Sequence, residues 1–372
     1  MSAGLQTMAL PRSGFGSLLM QGIRSQSIFI FFNLAYLFAL VLVEKSYPAM
    51  SKHSDLELVL GIVTCSIPIM LFALILYTFG HMALTDKPDK PLKVLYRRVK
   101  AVLCNPYQMA AGLPIFASLV LFMYSFTVFK GNISIIQPFA WDQTLDQWDV
   151  ALHFGYRPWE LLQPVLGNLP ATFLLNFNYN LWFFIMNFFW IHYAFIAKPG
   201  AERSRFYLTF FMTWVIVGSL AAIVFSSVGP CYFDKLGLPV NPYEPLMAYL
   251  NGVNSIVPIW AVDTQKFLWE EYASGSLYGG VSAMPSVHNA TALLFVLTTW
   301  NKGGWLRWLM VAHCILIFLG SIHLGWHYAV DAYAAWALVV GLWVIAGAVV
   351  RWWESKNFVR DFNAVHATEA GR

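Results

Sequence analysis

Charged side chains are scarce in this 372-residue chain. Only 11% of it is Asp, Glu, Lys or Arg, against roughly a quarter in a soluble domain. So little charge cannot clothe a water-facing surface, which excludes an ordinary soluble globule. The net charge of +4 is spread along the chain and forms no basic patch, so no nucleic-acid partner is expected. Cysteine is thin too. Cys65 and Cys314 fall in apolar runs, Cys104 and Cys231 on opposite sides of them, and no disulfide is expected. No metal or other cofactor is expected. There is no internal repeat and no low-complexity segment. No short apolar core with a cleavage site precedes the first apolar run, so a removable leader is not expected.

Apolar and aromatic residues fill the gap. Hydrophobic residues make up 58% of the chain, with 30 Phe, 17 Tyr and 16 Trp, a composition suited to helix–lipid interfaces. Eight apolar runs follow one another, at about 27–43, 58–84, 109–129, 179–197, 206–226, 285–301, 305–323 and 328–352. Their lengths fit the roughly 17–25 residues of a spanning helix. The expected fold is all-α and polytopic: two N-terminal spans with a basic loop (1–108), a six-helix core (109–352) and a polar, disordered tail (353–372). With the N-terminus inside, 17 of the 23 Lys and Arg residues lie on the inner side and six on the outer side. The positive-inside rule then puts both termini in the cytoplasm. The setting is an integral membrane one, a bacterial inner membrane or a eukaryotic Golgi or plasma membrane.

Two short pieces carry the chemistry. The first is Ala283-Met284-Pro285-Ser286-Val287-His288, and the second is Gly320 to Asp331, which holds His323 and His327. A helical hairpin joins them and returns the chain to the same side, the outer or lumenal one. Pro285 suits the first position of a helix, whose free amides would make a phosphate seat beside Ser286 and His288. His327 and Asp331 are four residues apart and share a helix face. A carboxylate beside an imidazole fixes its tautomer and raises its basicity, as a nucleophile or base requires.

Pro-Ser-x-His followed by His-x3-Asp in a later helix resembles the type 2 phosphatidic acid phosphatase (PAP2) superfamily. The resemblance implies phosphoryl transfer without metal. His327 would be the nucleophile that forms a phosphohistidine, Asp331 its orienter, His288 the acid for the leaving group and Ser286 a phosphate holder. Aligned on His327, Gly320 and Ser321 stand where the lipid phosphatases carry Ser-Arg, so their phosphate-clamping Arg is missing. Val228 to Lys235 replaces their Lys-x6-Arg-Pro. Both departures, and His327-Tyr328-x-x-Asp331, look like the inositolphosphotransferase or inositol phosphorylceramide synthase branch. The function implied is transfer of an inositol phosphate-like head group from a phospholipid to a lipid or polyol acceptor. The alternative is a lipid phosphate or polyprenyl diphosphate phosphatase.

Two further stretches belong to this reading. From Trp141 to Gln163, acids and apolar residues alternate at spacings of three and four, which predicts a helix lying on the membrane surface. Asp142, Asp146 and Asp149 form its solvated face, with no His cluster to make them a metal site. The Pro- and Gly-rich segment 227–284 reads as an outer recognition loop. Its only cations, Lys235 and Lys266, are the expected replacements for the missing Arg, and His323 is a further candidate for the site.

Overall fold

The computed structural model describes residues 14–50 and 55–369. Arg12, Lys52 and Arg372, used in the charge count, lie outside these. The chain runs through α1 (Phe15–Ser25), α2 (Ser27–Ser46), α3 (Asp55–Thr85), α4 (Pro91–Leu103) and α5 (Pro106–Gly131). It continues through α6 (Ile133–Ile136), α7 (Asp142–Leu152), α8 (Pro158–Leu166), α9 (Leu169–Ile191), α10 (Ala201–Val215) and α11 (Ala222–Val224). Then come α12 (Glu244–Asn254), α13 (Trp260–Ala273), α14 (Val287–Thr299), α15 (Gly304–His323), α16 (Ala329–Glu354) and α17 (Asn357–Glu369). No strand occurs among the described residues, as the apolar periodicity predicts.

Six stretches are long and apolar enough to cross a membrane: Ser27–Ser46, Asp55–Thr85, Pro106–Gly131, Ala201–Val224, Gly304–His323 and Ala329–Glu354. Two of the eight expected spans do not meet that description. The first, α9, is 23 residues long but carries Asn176, Asn178, Asn180 and Asn187. The second, α14, has 13 residues, about 20 Å of helix, short of the roughly 30 Å hydrocarbon thickness. It is shielded instead by α15, α16 and α10, which pack around it.

Local signals set the helix starts. Asn105 caps α5 by accepting from Tyr107 N and Gln108 N, with Pro106 in the first turn. Asn168 caps α9 in the same way through Ala171 N. Aromatic side chains fill the centre, where Phe122 and Phe126 of α5 meet Phe210, Phe211 and Trp214 of α10. Burying rings of this size dominates core energetics.

Three expectations are corrected. The described part of the tail is helical, not disordered: α17 docks on α1 and α5, because Val359, Phe362 and His366 share one face and are almost fully buried. The 227–284 segment is not a plain loop: a 3₁₀ turn (Pro230–Leu236), α12 and α13 fold it over the end of the bundle that bears the site. Pro285 does not open a helix. Ser286 is the N-cap and α14 begins at Val287, after a cis Met284–Pro285 bond.

Candidate active site

The two sequence motifs meet at one end of the bundle. His327 lies in the short link between α15 and α16. Its Nδ1 donates to Asp331 Oδ2 at 3.1 Å, and the same oxygen accepts from Tyr328 N at 3.1 Å. Asp331 is fully buried in the first turn of α16. With Nδ1 committed to the carboxylate, the Nε2 lone pair remains for attack. Burial first, and then the nearby Lys130 ammonium, push the His327 ring down to about 3, so it is neutral and nucleophilic at pH 7.

His288 faces this pair from the first turn of α14. The two imidazole centroids are 6.4 Å apart. The His288 ring is held between Tyr179 (4.5 Å) and Trp182 (4.2 Å) of α9. His288 and His327 line one cavity of about 330 Å³, with Lys130, Tyr179, Ser282 and Trp326 also on its wall. Reactive atoms of a bound ester can therefore touch both imidazoles at once.

The acidic face of α7 is turned inward, which overturns the expectation of a solvated surface. Asp142, Asp146 and Asp149 are all buried. Asp142 accepts from Val228 N at 3.0 Å, Gly229 N at 2.9 Å and the Tyr328 hydroxyl at 2.9 Å. Asp149 accepts from Ala329 N at 2.8 Å and Val330 N at 3.0 Å, the open amides of α16. Asp146 takes two bonds from Arg157, at 2.8 and 3.0 Å, and one from the Tyr243 hydroxyl at 2.8 Å. The reason is physical: carboxylates are favoured at a helix N-terminus, and buried amides need acceptors. Burial pushes the Asp149 carboxyl up to about 7 while the Ala329 and Val330 amides pull it down. Burial likewise raises Asp142 against its own three donors. This helix thus fixes the three residues that follow His327 and the 228–229 strap beside it.

That strap is bonded to the rest of the site by backbone. Cys231 N donates to Gly325 O at 2.8 Å, and Ala283 N to Ser227 O at 3.0 Å. Ser286 N donates to Asp331 O at 3.2 Å, which ties the two motifs directly. Gly229 has φ +90°, and a Cβ there would lie 2.7 Å from Trp326 O. Gly229→Ala is therefore expected to cost about 1–3 kcal/mol for the conformation alone and to displace the link that carries His327. Thermal unfolding and turnover of that variant check this; wild-type values for both would refute it.

The other site candidates are placed as follows. Ser286 is fully buried, and its Oγ is taken by Asn289 N and Asn289 Nδ2 as a helix cap. It does not line the cavity. His323 is also fully buried, with Nε2 on Thr172 Oγ1 at 2.8 Å and its ring against Tyr249. Lys235 pairs with its neighbour Asp234 at 2.6 Å. Lys235 and Lys266 line a second, open cavity of about 790 Å³ between the 3₁₀ turn, α12 and α13. The cation that stands with the two histidines is Lys130, at the end of α5. Its only signal in the sequence is a charge closing an apolar run.

No curated protein and no solved structure matches the chain. The PAP2 superfamily pattern matches residues 143–345, more than half of the chain, including α7 from its second residue on, the strap and both histidines. These residues and their arrangement make the chain a member of the PAP2 superfamily.

Proposed function

We infer from membership of the PAP2 superfamily that the protein is a membrane-bound lipid phosphatase or phosphotransferase. We propose that the protein transfers a phospho-head group, of the inositol phosphate kind, between lipids through a phosphohistidine on His327. His327 Nε2 attacks the phosphorus of a lipid phosphodiester. A P–N bond forms and the P–O bond to diacylglycerol breaks. His288, which takes up a proton as the negative charge of the substrate arrives beside it, gives that proton to the departing alkoxide. In the second half, neutral His288 takes the proton of an acceptor hydroxyl, whose oxygen attacks phosphorus and releases His327. The free amides at the start of α14 stabilise the charge on the phosphoryl oxygens. The observation that carries this reading is the His327–Asp331 pair facing His288 across a single cavity.

Transfer is favoured over hydrolysis by the surroundings. Aromatic side chains such as Phe126, Trp182, Phe183 and Trp214 form much of the wall around the histidines. Tyr232 lines both this cavity and the polar one beyond it, so a hydroxyl-rich group has a place next to a lipid. The charge distribution supports an outer or lumenal site.

The test is incubation of purified protein with head-group-labelled phospholipids, with and without ceramide and polyol acceptors, followed by mass spectrometry of lipid and aqueous phases. A new head-group-bearing lipid that requires both donor and acceptor is expected. Free phosphate from a lipid monophosphate or diphosphate, independent of any acceptor, would instead make the protein a phosphatase.

A further inference from the structure

We propose that Lys130 is the cation that holds the substrate phosphate, and that its single charge selects monoanionic phosphodiesters over dianionic phosphomonoesters. This rests on the reading of the cavity as the phosphoryl-transfer site. It adds a residue that lies outside the stretch matched to the superfamily, residues 143–345.

The argument starts from the donors. Among the described residues lining the cavity, Lys130 is the one Lys or Arg, and no carboxylate lines it. Its Nζ donates to Ser282 O at 3.2 Å, which leaves two N–H groups of the ammonium uncommitted. Five residues on the same wall have buried polar atoms with no partner among the described residues: Ser282 Oγ, Tyr179 Oη, Trp182 Nε1, Trp214 Nε1 and Trp326 Nε1. Each is an O–H or N–H donor. Buried donors are normally satisfied, so five orphans lining one cavity with a lysine point to an absent group rich in acceptor oxygens. A phosphate has that chemistry. Val287 and His288 add the N-terminus of α14, a helix long enough to favour an anion at its start.

Packing holds the lysine in place. A Cβ on Gly280 would lie 2.8 Å from Lys130 Cγ, and one on Gly131 would lie 2.5 Å from Leu277 O. Both glycines let the 277–282 segment close over the end of α5 and press the lysine stem against the cavity. A lysine that served only as a membrane-edge anchor would carry its ammonium out to water. The two cations expected from the sequence, Lys235 and Lys266, line the other cavity instead.

Charge balance then sets the substrate class. Within a membrane-embedded site each unmatched charge is costly. One ammonium matches the single negative charge of a phosphodiester. A phosphomonoester brings up to two at neutral pH and leaves one unmatched.

The test uses full-length protein in detergent, with His327→Ala as the parent so that binding is read without turnover. The parent is mixed with equimolar phosphatidylinositol, phosphatidylglycerol, phosphatidylethanolamine, phosphatidylcholine and phosphatidate, and retained lipid is identified by native mass spectrometry. Retention of at least one phosphodiester in preference to phosphatidate is expected. Adding Lys130→Met should weaken that retention about 10–100-fold, the usual effect of removing a charged hydrogen bond. Adding Lys130→Arg should keep it within about threefold, because the charge remains. Equal retention by the parent and its Lys130→Met form, or preferential retention of phosphatidate, would overturn the proposal. Full turnover by His327→Ala alone would instead overturn the phosphohistidine reading, so the two failures are distinguishable.

Discussion

Replacing His327 by alanine is expected to lower turnover by about four orders of magnitude, because the proposed nucleophile and everything organised around it are lost together. Asp331→Asn leaves the histidine in place but removes the acceptor that sets its tautomer. A loss of about 10²–10⁴-fold is expected there. His288→Ala separates the acid role from the nucleophile. With an alkoxide leaving group the expected loss is about 10²–10⁴-fold. With a p-nitrophenyl phosphodiester, whose leaving group needs no proton, the loss should shrink to about tenfold or less. Steady-state rates with the two leaving groups decide the matter. Equal losses for both would remove His288 from the acid role, and wild-type turnover by His327→Ala would end the mechanism.

Asp142→Ala carries the second large effect, at a distance from the reacting atoms. It strips the acceptor from two buried amides, Val228 and Gly229, and from the Tyr328 hydroxyl. An unsatisfied buried group costs about 1–3 kcal/mol, so three of them should destabilise the folded protein by roughly 3 kcal/mol or more. Turnover should fall as well, since the strap and Tyr328 flank His327. Asp142→Asn keeps one acceptor oxygen and should be intermediate in both properties. Thermal unfolding in one fixed detergent, together with activity corrected for the folded fraction, measures this. An alanine variant as stable and as active as the wild type would show that α7 does not support the site.

The sequence made the centre of the site legible because its chemistry is local. Pro285 to His288 and His327 to Asp331 are short spacings, and a helical hairpin between them leaves little freedom in how they meet. The direction of α7 was not legible. Spacing of three and four separates an acidic face from an apolar one, yet it does not say which face meets water. Here the acids meet helix amides and a strap of backbone, partners that exist only once distant segments have folded together. Lys130 was hidden for a related reason. A cation that ends an apolar run is the same signal whether it marks topology or binds a ligand. Lys235 and Lys266 sat in the right loop by sequence, but the folded 3₁₀ turn, α12 and α13 carry them to a different cavity. The tail misled because two of its apolar residues, Val359 and Phe362, lie in a largely polar stretch and matter only through their common face.

The inward acids of α7 also divide the molecule into two kinds of material. Within the bundle, cohesion comes from interlocking rings and aliphatic chains, which are weakly directional and adapt to whatever surrounds them. At the end that carries the histidines, cohesion comes from carboxylates gripping amides and hydroxyls from three separate parts of the chain, and each bond has a fixed length and angle. A solvent that competes for hydrogen bonds should therefore undo the site before it undoes the bundle. An amphiphile that merely replaces lipid should loosen the bundle's outer helices while the histidines stay in register. The end that carries the histidines behaves as a rigid cap of polar bonds seated on a softer apolar stem.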